Sequence, residues 1–260
     1  MKNIQHSSSI YTTTGQGKEI YRTEDEFGVV VVTQRGDKRV LSFGSAMEQS
    51  AVYIKKPYYL VYNYTQVMLL GLIFVDAKHV TLLGLGGGSL AICLRHFFAE
   101  LNIQVVELRQ AVIDVAYEWF LLPRDASLNV VQSDAYLYLS DSSPESTDLI
   151  FSDLFEKNEA AELQSQEHFI KSCHNVLTAH GCLVLNLHTE PEAELSLMRI
   201  LHSLFENISV CSVINGNWVL FCQKNPTQIG NDVLKSRAQL LVEQVNMPLM
   251  YYYRNLSSIA

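Results

Sequence analysis

The 260-residue chain predicts an α/β fold: a seven-stranded, mostly parallel sheet with a small N-terminal β domain in front of it. Three observations lead there. From Val80 onward, strand-like apolar runs alternate with helix-length segments, the pattern of a parallel sheet covered on both faces. Before Pro57, β-branched runs flank a Gly-containing turn, which is the pattern of a hairpin. Apolar residues make up 48% of the chain and charged ones 18%, enough for a sizeable core and unlike a disordered chain.

The elements follow in chain order. Residues 1–17 are polar and rich in Ser, Thr and Gly, and read as a mobile arm. In "FGVVVVTQRGDKRVLSFG" two runs flank Arg35-Gly36-Asp37-Lys38, and "SAVYIKKP" adds a strand. This β unit spans about 18–56, so the expected division is 1–56 for the N-terminal β domain and 57–260 for the larger one. Pro57 opens "YYLVYNYTQVMLLGLIF", whose length suits a helix buried between layers. Seven strands are then predicted at "VTLLGL", "IQVVEL", "LNVVQ", "DLIFSDL", "CLVLNLH", "NISVCSVI" and "NWVLFCQ", with helices over segments such as 110–121 and 159–178. The last two strands stand two residues apart across Asn215-Gly216 and predict an antiparallel hairpin at the sheet edge. "DVLKSRAQLLVEQV" places Leu234, Ala238, Leu241 and Val245 on one stripe of a closing helix.

Composition narrows the function. The net charge is −8 and no Lys/Arg-rich run offsets it, which argues against a nucleic-acid partner. The N-terminus has no apolar signal core and no run is long enough to span a bilayer, so a cytoplasmic protein without a membrane partner is expected. Five scattered cysteines make no CxxC pair and read as buried thiols. The eight histidines show no ligand spacing, and no metal is expected. The exposed edge of the β unit makes a homodimer plausible.

Four features carry the chemistry. "LLGLGGGSLA" places Gly84, Gly86, Gly87 and Gly88 between a strand and a helix, where backbone N–H groups face a ligand. Ser89 stands where GxGxxG would have its last glycine, and no Gly-Lys-Ser/Thr follows, which excludes a P-loop. Such glycines also let a helix pack tightly on a sheet. Glu107 ends the next strand, where a carboxylate can accept from a ribose diol or stand as an exposed acid. Asp134, before Ala135, can cap a helix or accept from an adenine amino group. Asp153 ends the fourth apolar strand at the carboxyl edge, with Glu156 three residues on; an acid there can hold an amine, accept its proton or turn the chain. His188 ends the fifth strand and reads more readily as a surface histidine.

In this order the features resemble the spermidine synthase family and its methyltransferase-like relatives, from the β-hairpin to the final strand pair. The resemblance implies a Rossmann-like class I methyltransferase fold and an S-adenosyl sulfonium donor. Gly86-Gly87-Gly88 matches the donor turn, Glu107 the ribose acid and Asp134-Ala135 the adenine position. The acceptor half departs from the polyamine pattern. Ser89-Leu90 replaces Asp-Gly after the glycines. Tyr64-Thr65-Gln66 stands for Tyr-His-Glu, and Asp153-Leu154-Phe155-Glu156 for an acidic polar loop. An Asp at position 89 would attract the amine of a decarboxylated donor and repel the carboxylate of the intact one. Neutral Ser89 removes that repulsion.

The expected function is therefore a transferase using S-adenosylmethionine to methylate a small-molecule or otherwise unidentified acceptor. Asp153 would be catalytic; Gly84, Gly86, Gly87, Gly88, Ser89, Glu107, Asp134 and Ala135 would bind the donor; Tyr64, Gln66 and Glu156 would bind the acceptor. The alternatives are aminopropyl transfer from decarboxylated S-adenosylmethionine to a polyamine, and a non-catalytic donor-binding protein. NAD binding is a weaker possibility, against which the GGG turn and Asp134-Ala135 argue.

Overall fold

The computed structural model describes residues 17–45, 47–154, 160–214, 216–226 and 230–259. Glu156, Asn215 and nearly all of the N-terminal arm lie outside them.

The N-terminal strands are β1 (Lys18–Asp25), β2 (Gly28–Arg35), β3 (Lys38–Ser42) and β4 (Glu48–Tyr53). They form an antiparallel sheet in the order β1-β2-β3-β4, in which the pair predicted across Arg35–Lys38 closes as a hairpin. Alternation puts Val30 and Val32, with Leu41 and Val52, into one buried cluster.

The chain then enters the large unit through α1 (Asn63–Met68), which tightens into a 3-10 turn over Leu69–Ile73. The helix expected from Pro57 onward is thus much shorter. Tyr62 is extended and caps α1, and the preceding residues run as turn and coil from one sheet to the other. The 3-10 turn lies directly on the large sheet: a Cβ on Gly71 would stand 2.6 Å from Val184.

The remaining elements are β5 (His79–Leu83), α2 (Ser89–Phe97), β6 (Asn102–Glu107), α3 (Gln110–Trp119), β7 (Leu128–Gln132), α4 (Ala135–Asp141), β8 (Thr147–Ser152), α5 (Ala160–Ser165), α6 (Glu167–Val176), β9 (Leu177–Leu187), α7 (Leu195–Leu204), β10 (Asn207–Ser212), β11 (Trp218–Gln223), α8 (Asn231–Val245), α9 (Leu249–Arg254) and β12 (Ser257–Ile259). The sheet order is β12-β10-β11-β9-β8-β5-β6-β7. β5 to β9 are parallel to their neighbours among themselves, and β11, β10 and β12 continue antiparallel.

Two further expectations are corrected. The sheet has eight strands, because β12 pairs with β10 and takes the edge expected for the β10–β11 hairpin. Its sequence, Ser-Ser-Ile, has too little apolar alternation to announce a strand; pairing alone defines it. The helix expected over 159–178 is broken at Gln166, whose extended backbone separates α5 from α6, and α6 ends at Val176.

Each face of the sheet carries its own core. On one side lie Val67–Leu70, Ala91–Leu94 and the α8 stripe of Ala238, Leu241 and Val245; on the other lie Phe169, Ile170, Cys173, Leu197 and Leu201. All five cysteines are buried. The small sheet has no comparable private core. Its buried valines pack on Val112 and Val115 of α3 and on Phe120.

Candidate active site

At the carboxyl ends of the parallel strands, where doubly wound sheets bind ligands, lies a cleft of about 420 Å³. Its floor is the glycine turn and the ends of β6, β7, β8 and β9. Its roof comes from the small sheet, through Phe43 and residues 47–50.

The glycine turn is built by packing as well as by openness. Gly84, Gly86 and Gly88 have φ of 95°, 54° and 75°, a region costly for other residues. A Cβ on Gly84 would stand 2.3 Å from the Asp153 carbonyl oxygen, and the Asp153 N–H donates to the Leu83 carbonyl at 3.0 Å. The turn and the strand-end acid are therefore fixed against each other. Gly84, Gly86 and Ser89 line the cleft. Gly87 and Gly88 face away from it: a Cβ on each would meet Phe120 at 2.6 Å and Leu122 at 2.9 Å. Ser89 is the first residue of α2 and is buried.

Glu107 braces this turn. One carboxylate oxygen accepts the Leu85 N–H at 2.9 Å and the other the Arg109 N–H at 3.0 Å. Burial raises its carboxyl above the ordinary value, while those N–H groups, the Arg109 charge and the Gly86 N–H pull it back. Asp134 caps α4, its Oδ1 accepting the Leu137 N–H at 3.0 Å, and lines the cleft with Ala135 beyond the end of β7.

Asp153 is held by two donors. Asn186 Nδ2 donates to Oδ1 at 2.8 Å and the Tyr64 hydroxyl to Oδ2 at 3.2 Å. Asn186 Oδ1 in turn accepts from Asn217 Nδ2 at 2.9 Å, and that same nitrogen lies 3.3 Å from His188 Nδ1. Burial raises the Asp153 carboxyl; Asn186, Tyr64 and the nearby His188 charge oppose the rise. The acid keeps some accessible surface and lines the cleft. Tyr64 is pushed well up by burial and by Asp153. Its ring stacks on Tyr62 at 6.0 Å, and Tyr62 donates to Glu48 at 2.7 Å. Glu48 also pairs with Lys38 at 3.0 Å and with Arg35.

One predicted acceptor contact falls elsewhere. Gln66 is buried outside the cleft lining and donates to the Leu60 carbonyl at 2.8 Å. Glu156 lies outside the described residues. Conversely, the sequence reading missed Asn186, Asn217, Tyr62 and Glu48. Asn186 left a signal, an amide within the apolar run "CLVLNLH"; the others left none. Among the described residues no cluster of His, Cys, Asp or Glu could hold a metal.

Arg109 joins the sheets. It is 7% exposed, forms a two-pronged pair with Asp25 at 2.7 and 3.0 Å, donates to the Gly28 carbonyl and stacks over Phe43 at 4.6 Å.

No family model matches the chain. It is 29% identical over 221 residues to a polyamine aminopropyltransferase of Neisseria meningitidis, covering 83% of this chain and 84% of that protein. It is 28% identical over 181 residues to the eEF1A lysine and N-terminal methyltransferase of Xenopus laevis, covering 65% of this chain but only 26% of that protein. Among solved structures, a probable spermidine synthase from Corynebacterium glutamicum superposes with a TM-score of 0.74 at 21% identity, over 85% of this chain and 86% of that one. Human methyltransferase-like protein 13 in complex with SAH gives 0.66 at 23%, over 72% and 94%. A spermidine synthase in complex with the transition-state analogue AdoDATO gives 0.67 at 16%, over 92% and 84%. The fold is thus the Rossmann-like fold shared by these spermidine synthases and methyltransferases, and the relatives are transferases by name.

Proposed function

We propose that the chain is a transferase that binds an S-adenosyl sulfonium donor in the cleft and, as the favoured reaction, methylates an N–H or O–H nucleophile. The carrying observation is the state of the acids around the cleft. Glu48 is engaged by Lys38, Arg35 and Tyr62, Glu107 by backbone N–H groups, and Asp134 by its own helix. Among the described residues, Asp153 is the fourth acid of the lining, held by the neutral donors Asn186 and Tyr64, and neutral Ser89 stands at the turn. That arrangement suits intact S-adenosylmethionine better than a decarboxylated donor and a diamine, which together bring several unpaired positive charges.

In this reading Glu107 receives the ribose hydroxyls and Asp134, beside Ala135, the adenine amino group. Gly84 and Gly86 let the donor approach the backbone. Gly87 and Gly88 act through packing. Tyr64 and Asp153 face the acceptor. As the nucleophile's lone pair bonds to the methyl carbon, the carbon–sulfur bond breaks and sulfur keeps its electrons as a neutral thioether. The nucleophile's proton passes to Asp153 or to water. A sulfonium leaves readily, so positioning at near-attack distance carries most of the rate.

Calorimetry with both donors tests this: S-adenosylmethionine should bind at least tenfold tighter, and label from its methyl group should pass to a component of a cell extract. Preference for the decarboxylated donor with turnover of putrescine would establish the second reading, aminopropyl transfer. That reading is favoured by the similarity to an aminopropyltransferase over 83% of the chain. Binding without transfer would leave a non-catalytic donor-binding protein.

A further inference from the structure

Asn186 and Asn217 form a chain of amides leading to the acid of the cleft, and no sequence motif singled them out. An amide side chain has a donor end and an acceptor end of nearly equal shape, so its partners decide which end faces a neighbour. Asn186 is 3% exposed, next to last in β9, and reaches Asp153 with its NH2 group. The reverse orientation would set a carbonyl against a carboxylate. What holds the carbonyl away is Asn217, whose NH2 group donates to Asn186 Oδ1 and lies 3.3 Å from His188 Nδ1. Asn217 is itself fixed by the closure of the β10–β11 hairpin, its carbonyl accepting the Val213 N–H at 2.8 Å.

We propose that Asn217 is a positioning residue for Asp153: by holding the Asn186 carbonyl, it fixes that amide with its NH2 group toward the acid and keeps Asp153 a hydrogen-bond acceptor that faces the cleft. The geometry stands on its own; the transferase reading enters only in what the acid acts upon. The groups around Asp153 are Tyr64 from α1, Asn186 and His188 from the end of β9, and the backbone of the glycine turn. Glu48 acts on it only at a distance, through Tyr62 and the stacked Tyr64. Glu107 is turned to the N–H groups of Leu85 and Arg109. Losing the Asn186 donor therefore removes one of two direct hydrogen bonds that favour the carboxylate.

The test follows the Asp153 side-chain carboxyl carbon by NMR across pH in the full-length, uniformly labelled protein, assigned by its loss in Asp153→Asn. Asn186→Ala, which removes the donor directly, and Asn217→Ala, which removes only its support, should both move the titration upward by about one pH unit. Ile214→Ala, on the same hairpin, should leave it in place. A folded Asn217→Ala protein with the wild-type titration overturns the proposal. If that variant fails to fold, Asn217→Leu, close in shape and uncharged, gives the same reading: a raised titration supports the role and an unchanged one rejects it. Failure of the wild-type protein to bind S-adenosylmethionine would reject the methyl-transfer reading and leave this result standing.

Discussion

Glu107 carries two loads: in the reading above it receives the donor's ribose, and it braces the backbone that forms the donor's seat. Glu107→Ala removes both, so S-adenosylmethionine affinity should fall by about 10- to 100-fold, the loss expected for hydrogen bonds to a charged group. Glu107→Gln keeps an acceptor for one N–H and should lose less; calorimetry on both variants reads the difference. Asp153 has the opposite economy, since burial raises its carboxyl. An acid with a raised folded-state value makes the folded protein less stable as pH rises from the unfolded value through the folded one. Asp153→Asn should therefore raise Tm at pH 7 by a few degrees. That gain should vanish as pH falls below the ordinary carboxylate value of 3.8. A Tm difference independent of pH would contradict the buried charge as its cause. Most of these residues were legible from sequence because strand ends announce themselves: Glu107, Asp134 and Asp153 each follow an apolar run. Gln66 was misplaced because correspondence in sequence says nothing of which face of a short helix a side chain takes, and Asn217 looked like ordinary turn chemistry.

At the scale of elements, the end of α3 carries backbone strain. Leu121 follows the helix with φ of 64°, a left-handed position that glycine fills without strain. Its side chain is 44% exposed, so little packing is lost with it. Leu121→Gly should stabilise the protein by about 1 kcal/mol, read by chemical denaturation. Its neighbours Phe120 and Leu122 are the surfaces on which Gly87 and Gly88 rest. Gly87→Ala should cost about 1–3 kcal/mol through overpacking against Phe120. The parallel strands were legible because strands buried on both faces are apolar throughout. The helix after Pro57 was overextended because aromatic and aliphatic residues fill a connection between layers as readily as they fill a helix. β12 was invisible, since three residues owe their form to a partner.

For the molecule as a whole, there are two sheets but the smaller has no core of its own. The apolar face of the small sheet is completed by Val112, Val115 and Phe120, and Arg109 ties Asp25 and Gly28 to the large unit. Removing residues 1–56 should leave a protein that aggregates, as light scattering would show, because that apolar surface loses its cover. Asp25→Ala strands a buried guanidinium and should destabilise by about 2–3 kcal/mol, with faster amide exchange concentrated in β1 and β2. Sequence patterning marks where strands lie; it does not say which helix a second sheet will borrow.

The clasp formed by Glu107 and Arg109 also orders events in time. Arg109 meets Asp25 across 84 residues of chain, while two positions earlier Glu107 steadies the glycine turn. Closing so long a loop is a late event in a folding chain. The roof of the cleft, Phe43 and residues 47–50, belongs to the unit that this contact ties down, so the seat for a ligand is finished only when that unit has docked. In stopped-flow refolding, the ability to capture S-adenosylhomocysteine should appear with the slowest phase, after the parallel strands have gained their ellipticity.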